Sequence, residues 1–82
     1  MRNVVELPNG QRLTAREIEI LEWVAIGKTN VDIALIHNRS MNTVKNQLHH
    51  IFVKLNVVSR PQAVVEAIRL GVMKLIDPAM SI

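Results

Sequence analysis

The chain has 82 residues, room for one small domain with a modest core. Apolar residues make up 49% of it, enough to fold, but there is one Trp, one Phe and no Tyr, so the core is aliphatic. The absence of cysteine excludes disulfides, thiolate metal sites and thiol catalysis, and a net charge of +3 points weakly to an acidic partner.

In chain order, the opening "MRNVVELPNG" lacks the apolar centre of a signal peptide, and no later run approaches the ~20 apolar residues of a membrane span. A cytosolic protein with no membrane partner is the expectation. In "VVELPNGQRL", Pro8-Asn9-Gly10 suits the turn of a short hairpin. A loose arm over residues 1–13 competes with that hairpin, and the domain division adopts the arm.

Helix starts follow. In "TARE", Thr14 is placed to cap a helix and Glu17 to close a capping box; "TNVD" repeats the pattern with Thr29 and Asp32, and "SRPQ" with Ser59 and Gln62. Pro61 fits a first helical turn. Ser40 in "SMNT" caps the remaining helix. The stops agree, with Gly27 and Gly71 after the first and last helices and Asn38 and Asn56 after the middle two. Helices are therefore expected at Ala15–Ile26, Asn30–His37, Met41–Leu55 and Arg60–Leu70. The segment over residues 74–82 is a tail that extends the last helix as far as Pro78 or frays.

Each helix carries an apolar stripe: Ile20, Leu21, Val24 and Ala25; then Ile33, Ala34 and Ile36; then Val44, Leu48, Ile51 and Leu55; then Ala63, Val64, Ala67 and Ile68. None is long enough to be stable alone. Together they make an all-α, compact four-helix bundle. Trp23 lies beside the first stripe and is expected to pack against the core.

The charges are segregated. Acids crowd the N-terminal part (Glu6, Glu17, Glu19, Glu22, Asp32), whereas residues 33–65 hold none and carry Arg39, Lys45, Lys54 and Arg60 with three histidines. Such a block suits phosphate. Helical periodicity puts Asn42, Lys45, Asn46, His49 and Val53 on the side of the third helix away from its stripe. Lysine reaches guanine acceptors or phosphate, asparagine pairs with adenine, and histidine donates to either. A short second helix, a tight turn and a longer polar third helix describe a helix-turn-helix.

The segments "LTAREIEILEWVAIGKTNVDIA", "TVKNQL" and "IFVKLNVVSRPQAVVEAIRLGVM" resemble the DNA-binding domain of LuxR-type transcription regulators, which the stand-alone GerE-type proteins also possess. The resemblance covers residues 14–73. It implies a helix-turn-helix bundle whose third helix reads double-stranded DNA and whose C-terminal helix pairs two subunits. On the matching positions, Lys45, Asn46 and His49 face bases; Thr29, Asn30, Thr43 and Lys54 face phosphates; Val64, Val65 and Ile68 form the homodimer contact. Members often pair the acid at Glu17 with a downstream arginine such as Arg60.

The chain departs from the pattern at His37, Asn38 and Arg39, where the family usually has Leu, Gly and an aliphatic residue, and more mildly at Gln47 and Asn56. Burying an unpaired polar group costs about 1–3 kcal/mol, so a looser turn, or side chains reaching water or phosphate, is expected there. That departure motivates an alternative function: a module that pairs with a larger regulator through its fourth helix. Residues 1–13 are too few for the receiver or ligand-binding domain that often precedes this one, so the chain either stands alone or is an excised piece. No nucleophile, metal constellation or phosphate loop marks an enzyme, His49-His50 lacks further ligands, and nothing calls for a cofactor.

Overall fold

The computed structural model describes residues 4–73. The tail expected over 74–82, and the first three residues of the expected arm, lie outside the described residues. Six elements follow in order: β1 (Val5–Glu6), β2 (Arg12–Leu13), α1 (Ala15–Ala25), α2 (Asn30–His37), α3 (Met41–Leu55) and α4 (Arg60–Arg69).

Of the two readings of "VVELPNGQRL", the hairpin is the one found. β1 and β2 pair antiparallel, Val5 opposite Leu13 and Glu6 opposite Arg12. The loop closes through Leu7 N–H to the Gln11 carbonyl at 2.7 Å and Gly10 N–H to the Leu7 carbonyl at 3.0 Å, with Gly10 at φ 87°. So short a ribbon is unstable by itself. It is anchored by Leu7 and Leu13, both buried, and by Asn9, whose side-chain amide donates to the Lys54 carbonyl at 3.0 Å.

Local chemistry fixes the helix starts. The Thr14 hydroxyl accepts from Glu17 N–H at 3.2 Å while the Glu17 carboxylate accepts from Thr14 N–H at 2.9 Å. Thr29 and Asp32 repeat the reciprocal pair at 3.1 and 2.9 Å. Each satisfies two donors that a bare helix start leaves open. Ser40 accepts from Thr43 N–H at 3.0 Å. At α4 only half of the expected box forms: Ser59 accepts from Gln62 N–H, but the Gln62 side-chain Oε1 accepts from Val58 N–H and not from Ser59 N–H. The left-handed stops at Asn38 (φ 53°) and Asn56 (φ 58°) are the expected ones.

α2 packs on α3, and α1 packs on α4 and α3. The core is aliphatic: Ile20, Leu21, Ile33, Val44 and Ile51 are fully buried, with Leu48 and Leu55 below them on α3 and Ala63 and Ala67 giving α4 a flat, close approach. Trp23 and Phe52 pack at its edge. Two expected core residues are exposed instead, Ala25 and Ile36. The reason on α2 is angular. At about 100° per residue, His37 falls between Ile33 and Ala34, while Ile36 falls outside them. The inward position therefore belongs to a histidine, and the isoleucine faces solvent.

Candidate nucleic-acid interface

α3 divides cleanly. Val44, Leu48, Ile51 and Leu55 are buried, and Asn42, Lys45, Asn46, His49, His50 and Val53 are exposed. Lys45 and His49, four residues apart, lie one above the other about 6 Å along the axis, with Asn46 beside them. Lys45 takes part in none of the ion pairs found among the described residues. His50 shares the exposed side, its ring 6.3 Å from that of His49. Periodicity passed over His50 because it lies about 100° round the helix from His49.

The expected phosphate-facing residues are already engaged within the chain. The Thr29 hydroxyl accepts the N–H of Asp32 and also faces the Asp32 carboxylate. The Asn30 Oδ1 accepts from Arg60 at 2.9 Å, which leaves the side-chain amide free to donate. Thr43 shares a hydrogen bond of 3.0 Å with the Ser40 hydroxyl. Lys54 is bound most firmly: its Nζ lies 2.8 and 3.0 Å from the two oxygens of Glu17. An ammonium has three donors, so one remains. The Asp32 carboxyl is held below the usual carboxylate range, first by the Thr29 backbone N–H and then by the Thr29 hydroxyl.

The partner expected for Glu17 is corrected here. Lys54 holds it, not Arg60. Glu17 is in the first turn of α1 and meets the last turn of α3. Arg60, in the first turn of α4, reaches the α1–α2 connection instead, where it donates to the Lys28 carbonyl at 2.6 Å as well as to Asn30. An open groove beside it is lined by Lys28, Thr29, Asn30, Met41 and Arg60, which brings the starts of α2 and α3 to one face.

The turn before α3 is not loosened. Arg39 N–H donates to the Ala34 carbonyl at 2.9 Å and Asn38 N–H to the Leu35 carbonyl at 3.3 Å, the paired bonds of a helix end closed by a left-handed residue. Asn38 substitutes for glycine in that conformation, and Arg39 points to solvent. His37 reaches neither water nor the exterior; its side chain is 4% exposed and its Nε2 accepts from the Trp23 indole at 3.2 Å. Glu19, whose side chain is 46% exposed, has an oxygen 3.3 Å from that nitrogen.

On α4, Val65 is 64% exposed, whereas Val64 and Ile68 are half-buried and pack against the core. Val58, just before α4, is more exposed still at 86%. No helix among the described residues is long and apolar enough to cross a membrane.

Residues 11–67 match the model of a family described as bacterial regulatory proteins, luxR family. The chain is 42% identical over 69 residues to the transcriptional activator protein YukR of Yersinia ruckeri, an alignment that covers 83% of this chain and 28% of that protein. Among solved structures, transcription factor GerE superposes with a TM-score of 0.73 at 36% identity, over 78% of this chain and 96% of GerE. A Vibrio cholera VqmA–ligand–DNA complex superposes with a TM-score of 0.68 at 29% identity, over 83% of this chain and 29% of VqmA. The chain thus spans about 28% of the curated relative YukR but nearly all of GerE.

Proposed function

Since this chain belongs to the luxR family of bacterial regulatory proteins, whose members are transcription regulators and not enzymes, we propose that it is a sequence-specific reader of double-stranded DNA. It inserts α3 into the major groove and acts as a homodimer. The observation that carries this reading is the exposed, acid-free face of α3, with Lys45, Asn46 and His49 on one side and an apolar stripe fixing the other.

Lys45 and His49 donate to guanine acceptors, and Asn46 pairs with an adenine edge through its donor and acceptor. Phosphate contacts frame them. Thr29 and Asn30 stand beside the N-terminus of α2, where the backbone N–H groups that the capping box does not use favour an anion, and Asn30 adds its side-chain amide. Thr43 takes the corresponding position at the start of α3. Lys54 contributes one residual donor; its charge is largely matched by Glu17, so it counts for less than Lys45. Val65 is the apolar contact to a second subunit, flanked by the half-buried Val64 and Ile68.

The alternative, a module that pairs with a larger regulator through α4, drew on an altered turn ahead of α3. The bonds that close that turn in the ordinary way favour the DNA-reading role. Competition binding tests it. Lys45→Ala and His49→Ala are expected to lose about 1–3 kcal/mol of discrimination each on a preferred duplex while keeping most of their binding to random DNA. Both variants discriminating like the wild type would show that α3 is not the reading surface.

A further inference from the structure

Arg60 opens α4, and its guanidinium crosses to the connection between α1 and α2. Nη1 donates to the Asn30 Oδ1 at 2.9 Å and Nη2 to the Lys28 carbonyl at 2.6 Å. Arg60 takes part in none of the ion pairs found among the described residues, and Lys54 already holds Glu17. Both of its acceptors are neutral. The rigid fork of the guanidinium is therefore spent on geometry, not on neutralising an acid.

What the fork fixes is one stretch of main chain and one carboxamide. The Lys28 N–H donates to the Trp23 carbonyl at 2.9 Å, so with Arg60 on its carbonyl both main-chain groups of Lys28 are held. Asn30 is the first residue of α2. A guanidinium has donors only, so the Asn30 atom that meets it is the oxygen. Asparagine otherwise bonds neighbouring backbone groups in several competing ways, and an outward oxygen would repel a phosphate. Pinned by Arg60, the carboxamide offers two N–H donors with its oxygen already engaged. The groove beside it is lined by Lys28, Thr29, Asn30, Met41 and Arg60, and no acid lines it.

We propose that Arg60 is a positioning residue for DNA binding. It acts through Asn30, holding the carboxamide so that the start of α2 meets a phosphate as a donor only. Its second bond, to the Lys28 carbonyl, keeps the α1–α2 connection from carrying Asn30 away. Arg60 belongs to the helix that bears Val65, so this phosphate contact is tied to α4 and not to α3 alone. The role rests on the DNA-reading function proposed for the domain and adds to it a residue that touches no DNA.

Binding of the 82-residue chain to a labelled duplex is measured by fluorescence anisotropy at fixed moderate salt, under conditions where circular dichroism shows every variant folded. Arg60→Lys keeps the charge but not the fork. It is expected to weaken binding about three- to tenfold, the value of an ordinary hydrogen bond. In an Asn30→Ala background the same change is expected to weaken binding less than about 1.5-fold, and in a Thr43→Ala background by its full factor. An arginine that only supported the fold would cost the same factor in all three backgrounds. Arg60→Lys binding like the wild type, or losing as much without Asn30 as with it, would overturn the positioning role and leave the DNA-reading function standing. A wild-type chain that binds no duplex would overturn both.

Discussion

Glu17 does two things at once, and they can be separated. One carboxylate oxygen, Oε1, caps Thr14 N–H at 2.9 Å, and both oxygens hold the Lys54 ammonium at 2.8 and 3.0 Å. The two side chains are 13% and 23% exposed, so the pair is screened less than a surface salt bridge. Glu17→Gln keeps an oxygen for the cap and removes the charge. The expected loss is about 1–2 kcal/mol, between an exposed pair and a buried charged hydrogen bond. Glu17→Ala also removes half of the capping box, for a further ~1 kcal/mol. For a domain of this size each kcal/mol lowers Tm by roughly 4–8 °C. Urea unfolding of a double-mutant cycle locates the partner. Glu17→Gln with Lys54→Met should show a coupling of about 1 kcal/mol, and Glu17→Gln with Arg60→Met a coupling below ~0.3 kcal/mol. A larger coupling to Arg60 than to Lys54 would refute the pairing and restore the expectation drawn from the family.

Three further outcomes follow from the packing and the charges. Leu13→Ala empties a fully buried site under the hairpin and should cost about 2–4 kcal/mol in urea unfolding; a cost under ~0.5 kcal/mol would return residues 5–13 to a loose arm. Val65→Glu, at a position 64% exposed, should leave unfolding within about 0.5 kcal/mol of the wild type yet weaken self-association in sedimentation equilibrium; unchanged association would remove α4 as the dimer contact. The Asp32 carboxyl is held below its ordinary range by Thr29, so its stabilisation is present above the ordinary carboxylate range and is lost as pH falls through the lowered value. Asp32→Asn should therefore be less stable than the wild type at pH 7, with the gap narrowing at pH 3; a gap that stays constant would contradict the assignment.

What the sequence made legible was local. Thr14 with Glu17, and Thr29 with Asp32, are three residues apart, so their chemistry is complete within one helical turn. The same holds for Asn38 and Asn56, where a single residue supplies the left-handed stop. The wet face of α3 was legible because period 3.6 sorts Lys45, Asn46 and His49 from Val44, Leu48 and Ile51 without knowledge of the fold. Partners from different helices were not. Glu17 and Lys54 are 37 residues apart, and only the packing of α1 against α3 chooses between Lys54 and Arg60. His37 failed for a different reason. Its helical angle put it inward, but its polarity argued for a loosened turn, and the indole that receives it comes from α1. The hairpin strands are two residues each, too short for alternation to register, so the turn chemistry of Asn9-Gly10 was their main signal.

Whether the wet side of α3 touches base edges is decided by selecting bound duplexes from a random-sequence library with the 82-residue chain at moderate salt. Enrichment of an inverted repeat is expected, with half-sites spaced by whole helical turns as a two-fold dimer requires, together with loss of that enrichment when Lys45 and His49 are both replaced by alanine. Recovery of no preferred sequence, with binding that merely disappears as salt rises, would contradict base contact and leave only contact with phosphates.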